Sequence, residues 1–348
     1  MLNMSASIDS KIHNRDLTAL KMIPDHRNET NPMASVIVIT RNRSTSLART
    51  LEALTHLDYP AYEVIVADNA STDDTAKVAA EFSARYLFCP LSYGISRCRK
   101  EGVEAARGEI IAFCDDDCVP VQDWLQHIVR RLQNEQDLGL LGGQVINIGF
   151  EAAHQYKGRQ KWTNRNGKLA FAADPREAEF FGNANLAFRK AVYQMVGGYD
   201  PFFIACMAEL DLTMKVRRHG FRIDYEPAAV VRHHHTGVNY KRGRFFYDNQ
   251  LMRLYFYLKH CRPKCFSEWL GFSYREMQLV GDDIYKWSRS FAAAILKVRL
   301  QRLPSVATDF FNIISARLAI PWLLWRIRKQ DLVAKDTIDN RLPPRGIL

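Results

Sequence analysis

Three adjacent aspartates, Asp115, Asp116 and Asp117, follow directly on an apolar run at residues 109–114. Carboxylates that close repel one another strongly unless a positive charge sits among them. A hard divalent cation bridging to a diphosphate is a natural neutraliser, because Mg²⁺ and Mn²⁺ favour carboxylate and phosphate oxygens. In an extended stretch alternate residues point the same way. Asp115 and Asp117 are therefore expected to share one side, with Asp116 on the other. The plainer reading of the string is a solvated acidic turn.

A second carboxylate, Asp68, ends another apolar run and precedes Asn69-Ala70-Ser71-Thr72-Asp73. There it can accept hydrogen bonds from a nucleobase or a ribose, or it can serve an Asx turn or a helix N-cap. Glu209 and Asp211 open a segment that continues Leu212, Met214 and Val216. Either acid can act as a general base toward an acceptor hydroxyl, and acids also suit the positive end of a helix dipole. His233 stands first of three histidines with His234 and His235. Three histidines in a row allow adventitious metal binding. There is no Gly-x-Gly-x-x-Gly, no P-loop and no Gly-x-Ser-x-Gly, so dinucleotide dehydrogenases, P-loop ATPases and nucleophile-elbow hydrolases lack support.

The elements that must position these residues alternate. Residues 35–40 (Ser-Val-Ile-Val-Ile-Thr), 62–67, 85–89 and 109–114 read as short buried strands. Between them, residues 43–57 read as a helix with Ser44 as its N-cap, 75–83 as a second helix, and 95–107 as a third, closed by Gly108. Alternation of this kind predicts parallel βαβ units, whose ligands gather outside the carboxyl ends of the strands. Thr40, Asp68 and Asp115 all fall at such ends. Farther on, 123–133 reads as helix, 140–146 as strand, and 150–179 as irregular. Residues 179–188 read as strand and turn, 190–196 as a helix broken by Gly197-Gly198, 208–219 as helix, and 222–233 as strand segments around Pro227. From residue 241 helical patterns dominate, rich in aromatic and basic residues.

The joint order of these pieces resembles glycosyltransferase family 2, the inverting family with the GT-A fold. The resemblance runs from about Ala34 to His235. Residues 36–42 look like the family's opening strand, and residues 64–75 are similar to its "VVDNASTDGT" stretch. Residues 94–102 followed by Ala106-Arg107-Gly108 resemble its "G-x-x-x-A-R-N-x-G … A-x-G" helix, with Arg99 on the motif arginine. Phe113 to Pro120 looks like its D-x-D strand end. Phe181-Gly182-Asn183-Ala184-Asn185 and Gly197-Gly198-Tyr199-Asp200 match its acceptor-side motifs. Residues 208–212 fall where the family has "E-D-x-D-L", and Val230-Val231-Arg232-His233 matches its late strand. Two departures stand out: Lys100 replaces the motif asparagine, and Ala208-Glu209 replaces Glu-Asp, which leaves the base between Glu209 and Asp211.

The resemblance implies an α/β GT-A fold with a mostly parallel nucleotide-binding sheet flanked by helices. It also implies a nucleotide-diphosphate sugar as donor, cradled by Thr40, Arg41, Asn42, Asp68, Arg99, Asp115 and Asp116. Mg²⁺ or Mn²⁺ would sit on Asp115, Asp117 and His233. The acceptor is expected to be a glycan or a lipid-linked hydroxyl in bacterial glycan or polysaccharide assembly, with single addition and inversion. Two other classes stay open: a nucleotidyltransferase, against which the glycine-free Thr40-Arg41-Asn42-Arg43-Ser44 counts, and a non-catalytic sugar-nucleotide-binding protein.

Of 348 residues, those from 1 to 240 carry 28 Lys and Arg against 29 Asp and Glu, whereas 241–348 carry 20 against 9. The positive excess therefore belongs to the last third, and two surfaces with two jobs are expected. The expected organisation is a leader at 1–33, a catalytic domain at 34–240 and a helical, basic region at 241–348. That region suits an anionic membrane surface, packing on its own domain, or a homo-oligomer contact, whereas nucleic acid lacks any recognition motif. No run of about 18 apolar residues is free of charge, so the expected location is the cytoplasm or the inner face of the cell membrane. The 7 cysteines are expected to be reduced and buried. The spacings Cys114/Cys118 and Cys261/Cys265 leave zinc as the minor alternative.

Overall fold

A computed structural model describes residues 31–149, 159–163, 168–171, 178–204, 207–234, 251–256, 258–260 and 318–339. The chain forms two compact units, residues 1–238 and 239–348. The expectations for a leader lie almost wholly outside the described residues, and those for Cys261 and Cys265 wholly so.

Unit 1 is built on β1 (Ala34–Thr40), which is buried along its whole length. Its β-branched residues can face both ways because layers cover both sides. β1 pairs in parallel with β2 (Tyr62–Asp68) on one side and β4 (Ile110–Asp115) on the other, and β2 pairs in parallel with β3 (Arg85–Phe88). The register sets Thr40 opposite Asp68 and Ile39 opposite Asp115, so the expected strand ends do converge at one edge. Three helices make the crossovers, α1 (Ser44–Thr55), α2 (Thr75–Glu81) and α3 (Gly94–Ala105).

Beyond β4 the sheet changes character. β5 (Cys118–Pro120) and α4 (Trp124–Asn134) lead into β6 (Leu138–Ile148). A small antiparallel sheet follows, made of β7 (Arg159–Thr163), β8 (Lys168–Phe171) and β9 (Phe180–Phe181). The chain then returns to the main sheet as β10 (Asn185–Arg189), and α5 (Lys190–Met195) and α6 (Ala208–Arg218) precede β11 (Arg222–His234). The strand order is β3-β2-β1-β4-β10-β6-β11-β5. β10 is antiparallel to both β4 and β6, while β11 runs parallel to β6. Four of the seven pairings are parallel, which is the mostly parallel α/β sheet expected.

Buried polar side chains tie the two halves together. Asn185 Oδ1 accepts from the indole of fully buried Trp124 at 2.9 Å, and its Nδ2 donates to the Ala229 and Gln144 carbonyls at 2.8 and 3.0 Å. Arg189, only 3% exposed, donates to the Leu132, Glu135, Gln136 and Leu138 carbonyls. These carbonyls run from the last turn of α4 through the following loop to the first residue of β6, so one guanidinium holds the whole connection. Burial drags its pKa down to about 10.

Several expectations need correcting. Residues 150–179 are not wholly irregular, since β7 and β8 fall inside them. β11 is one strand with a bulge between Glu226 and Val230, which accommodates Pro227 outside the ladder. Ser44 is the first residue of α1 and not its cap; Arg43 holds the cap position, and the Ser44 amide donates to Asp73 Oδ2 at 2.9 Å instead. Gly108 does not close α3, whose cap is Ala106. It is there because the backbone of β1 passes too close for a side chain: a Cβ would stand 2.5 Å from the Ser35 amide nitrogen and 2.6 Å from the Ala34 carbonyl carbon. Neither atom can move without displacing β1. Gly108→Ala is therefore expected to cost about 3 kcal/mol, read as a lowered urea midpoint at unchanged slope.

Cys89, Cys98, Cys114 and Cys118 are buried free thiols, as expected. In unit 2, α7 (Ile320–Asp339) buries Leu323 and Ile327 and exposes Trp322 and Trp325, and Leu318 just before it is exposed as well. Tyr255 donates to Gln330 of this helix at 2.7 Å. No helix among the described residues is long and apolar enough to cross a membrane.

Candidate active site

The three aspartates do not sit as expected. Only Asp115 belongs to the strand; Asp116 and Asp117 form a turn between β4 and β5. A turn removes the alternation of an extended chain, so Asp116 and Asp117 face the same partner while Asp115 faces another. Arg43, at the start of α1, sets Nη1 2.9 Å from Asp116 Oδ1 and Nη2 2.5 Å from Asp117 Oδ2. Asp116 also accepts from the Thr40 hydroxyl at 2.8 Å. Asp115 lies 4.0 Å from the Arg99 guanidinium at the mouth of the site.

β11 brings His233 to the same place. Its Nε2 is 3.0 Å from Asp117 Oδ1, and its Nδ1 lies 3.3 Å from Asn147 Oδ1. The Asn147 contact follows from register, because β6 and β11 pair Asn147 with His233. The His234 amide donates to the Asp117 carbonyl at 2.8 Å, which fixes the turn. The charges respond to this crowding. Burial pushes Asp115 and Asp116 above the ordinary carboxylate range, opposed by Arg99 and by Arg43 respectively. Burial would push Asp117 the same way, but the His233 hydrogen bond and the two neighbouring cations hold it below that range. Burial would lower His233, and Asp117 outweighs it and raises the imidazole.

Asp68 is almost fully buried and already well used. Its Oδ1 accepts from the Ser71 amide and hydroxyl at 3.0 and 2.5 Å, and its Oδ2 accepts from the Tyr86 hydroxyl at 2.7 Å. Asn42, at φ 52°, ties its own loop to this one: its amide donates to Ser71 Oγ at 2.8 Å and its Oδ1 accepts from the Thr72 amide at 2.7 Å. Asp73 serves both α1 and α2, accepting from the Ser44 and Thr75 amides. These contacts shape the loops at the strand ends. Arg41 is exposed at their rim.

The second half of the site comes from α6. Its cap residue, Met207, adopts φ 67°, a strained value for a long side chain that recurs at functional sites. Glu209 follows, and Asn183 Nδ2 donates to its Oε2 at 3.2 Å. Asn183 is itself held by the Tyr199 hydroxyl at 2.5 Å. Burial raises the Glu209 carboxyl, Arg99 pulls it back, and Asp115 adds to the rise. Arg99 therefore acts on both Glu209 and Asp115, and its Nε is buried without a hydrogen bond. Asp211 lies apart from this arrangement. It is fully buried and paired at 2.8 Å with Lys215, which also donates to the Gly198 carbonyl at 2.7 Å.

Asp117, Cys118 and His233 offer ligand atoms within 4.8 Å of one another. Burial pushes the Cys118 thiol well up, which disfavours a thiolate ligand. What remains is a carboxylate and an imidazole; Asp115, expected among the ligands, lies outside this cluster and faces Arg99. That donor set fits Mg²⁺ or Mn²⁺, which take few protein ligands and complete their shells with water and phosphate oxygens. Asn147 on Nδ1 would leave Nε2 free to ligate. Sequence reasoning missed Arg43, Asn147 and Asn183. The Gly182-Asn183 pair was at hand for the last; nothing local marks Asn147, which depends on strand register.

Residues 35–197 match the family model described as Glycosyl transferase family 2. Among curated proteins, the glycosyltransferase AglE of Haloferax volcanii is 32% identical over 186 residues, covering 51% of this chain and 59% of that one. The chain spans little more than half the length of the curated relatives it matches. Among solved structures, S. aureus TarS 1–349 superposes with a TM-score of 0.51 at 18% identity, covering 82% of this chain and 80% of that one. The mannosyltransferase PcManGT from Pyrobaculum calidifontis, in complex with GDP-Man and Mn²⁺, superposes with a TM-score of 0.50 at 16% identity over 91% and 96%. The described α/β sheet with its flanking helices is the GT-A arrangement expected.

Proposed function

We propose, from the premise that residues 35–197 form a glycosyltransferase family 2 domain, that this chain transfers a sugar from a nucleotide-diphosphate donor to an acceptor hydroxyl, with inversion at the anomeric carbon. One observation carries the reading. The Asp117–His233 pair stands at the strand ends, and Glu209, a half-buried carboxylate with a raised pKa, shares the charge of Arg99 with Asp115.

Each residue then has a task. The Thr40 and Asp68 strand ends and the loop that Asn42 ties down receive the nucleotide. Asp117 and His233, supported by Asp115, hold the divalent ion. When bound, that ion stabilises negative charge on the departing diphosphate. Arg99, poised between Asp115 and Glu209, steadies the phosphates. Glu209 takes the proton of the acceptor hydroxyl, which attacks the anomeric carbon from the face opposite the diphosphate. Asn183 keeps the Glu209 carboxylate aimed. Asp211, committed to Lys215, positions α6. Superposing structures that hold GDP-Man with Mn²⁺, or UDP-GlcNAc, support a nucleotide-sugar donor with a divalent ion. Calorimetric titration of UDP, GDP and dTDP, with and without Mn²⁺, tests the reading. Metal-dependent binding of one of them is expected; binding of none sinks it.

The acceptor side extends the proposal to a lipid-linked hydroxyl at an anionic membrane surface. Exposed Trp322 and Trp325 of α7 are three apart, which puts them on one side of the helix, with exposed Leu318 just before it, and Lys329 lies over the Trp325 ring at 5.6 Å. Indoles beside cations suit the interface of acidic lipids. Sedimentation with phosphatidylglycerol vesicles is expected to capture the protein, and pure phosphatidylcholine is not. Replacing Trp322 and Trp325 together by alanine is expected to weaken capture about tenfold, or about 1.4 kcal/mol. Equal capture by both lipids, or no loss in the double variant, counts against a role for this face.

A further inference from the structure

We infer that Arg43 is a built-in counter-cation of the metal site: it holds Asp117 while no divalent ion is bound and yields that carboxylate to the ion while staying anchored on Asp116. This deepens the transferase reading and rests on it.

Asp116 and Asp117 are adjacent in sequence and 3% and 7% exposed. Two nearly dehydrated carboxylates side by side require positive charge, or the turn that carries them does not form. One guanidinium serves both, with one nitrogen on each. Only arginine offers a planar fork that can do this; a lysine ammonium is a point charge.

The two carboxylates are not equivalent, however. Asp116 has both oxygens engaged by the scaffold, Oδ1 by Arg43 and Oδ2 by the Thr40 hydroxyl. It is the anchor of Arg43. Asp117 presents Oδ1 to His233 and Oδ2 to Arg43. A dication arriving at Asp117 finds both oxygens held by cationic donors. It can share the carboxylate with neither at close range, because like charges at contact repel strongly in a buried site. His233 can turn from partner to ligand by releasing its Nε2 proton to solvent and giving the ion the lone pair this frees. Arg43 has no lone pair to give, so Nη2 must leave.

The local structure lets it leave without unfolding anything. The Arg43 backbone is fixed as the cap of α1, with the Leu47 amide donating to its carbonyl at 2.9 Å and the next residue's amide held by Asp73. Its side chain is 24% exposed, so one side faces solvent. Rotation about the Asp116 contact frees Asp117 and leaves α1 in place.

Two properties should therefore move in opposite directions when Arg43 is removed. Metal-free Arg43→Ala is expected to melt below the metal-free wild type. It is also expected to bind Mn²⁺ alone about tenfold more tightly, counted from the paramagnetic resonance signal of free Mn²⁺. Because an ion that binds the folded state stabilises it in proportion to its affinity, saturating Mn²⁺ should raise the melting temperature of the variant more than that of the wild type, and the gap should narrow. Arg43→Gln, which keeps much of the length without the charge, should behave likewise and serves if the alanine variant does not fold. Mn²⁺ affinity unchanged or weakened in a folded variant, or a melting gap that Mn²⁺ leaves as wide, overturns the inference alone. Wild-type protein that binds no Mn²⁺ overturns it together with the transferase reading.

Discussion

Asp117→Ala is expected to abolish Mn²⁺-dependent binding of nucleoside diphosphates and to lower kcat about 1,000-fold or more. Asp117 is where the cationic and anionic parts of the site meet: it holds His233 at 3.0 Å, takes one arm of Arg43, and through its carbonyl receives the His234 amide. Removing its carboxylate takes away the proposed metal ligand and leaves His233 without the partner that raises it. A bound ion contributes several kcal/mol of charge stabilisation in a displacement of this kind, and about 4 kcal/mol corresponds to about 1,000-fold in rate. Asp117→Asn separates charge from shape. It should fold, keep the turn through its carbonyl, and still fail to bind the nucleotide with Mn²⁺. If either variant keeps metal-dependent nucleotide binding at wild-type strength, the metal does not sit on Asp117.

Glu209→Gln is expected to lower kcat by about 10²–10⁴, the range for loss of a general base, while nucleotide and Mn²⁺ binding stay within about twofold, since a missing proton acceptor affects the chemical step and spares the ground state. The pH profile carries the sign. Burial, first, and the nearby Asp115 charge raise the Glu209 carboxyl above 4.5, with Arg99 opposing. The base works only when ionised. The rate should therefore fall as pH drops through the raised pKa, and this acid limb should lie above the ordinary glutamate range. Arg99→Ala removes the opposing cation, so it should move the limb higher still. An acid limb at the ordinary glutamate value, or an unchanged limb in the glutamine variant, would assign the base elsewhere. Asp211→Asn offers the contrast. Its carboxylate is sealed against Lys215, and breaking a buried pair costs about 3–5 kcal/mol, so its loss should appear as reduced stability.

Much of the donor half was legible because its information is local. The β-branched runs at β1, β2 and β4 predict strands buried on both faces, and parallel alternation predicts that Thr40, Asp68 and Asp115 meet at one edge. The register bears that out. What escaped is set by contacts distant in sequence. The chain leaves β4 as a turn, so Asp116 and Asp117 share Arg43 where an extended strand would have separated them. Gly108 reads as a helix stop, yet the approach of β1 is what requires it. Asn147 and His233 lie 86 residues apart and meet only because β6 and β11 pair in that register. The proposed choice of Glu209 over Asp211 also needs three dimensions, since both open the same helix and only packing seals Asp211 against Lys215 and sets Glu209 beside Asn183.

The strand order has a consequence for how the protein is made. β1 to β4 are contiguous and emerge from the ribosome together, but the far edge of β4 is covered by β10, which comes about 70 residues later. At about 5–20 residues per second, the nascent chain therefore carries the bare edge of Ile-Ile-Ala-Phe-Cys-Asp for roughly 4–14 s. An unpaired apolar strand is a template for the wrong neighbour, and crowded polysomes supply such neighbours. His233 arrives later again, on the last strand of the sheet. The half-made domain can thus build the strand ends of the proposed nucleotide cradle early, but it gains the histidine of the proposed metal site only once the sheet is whole, and the interval between those events is when the chain most needs an escort.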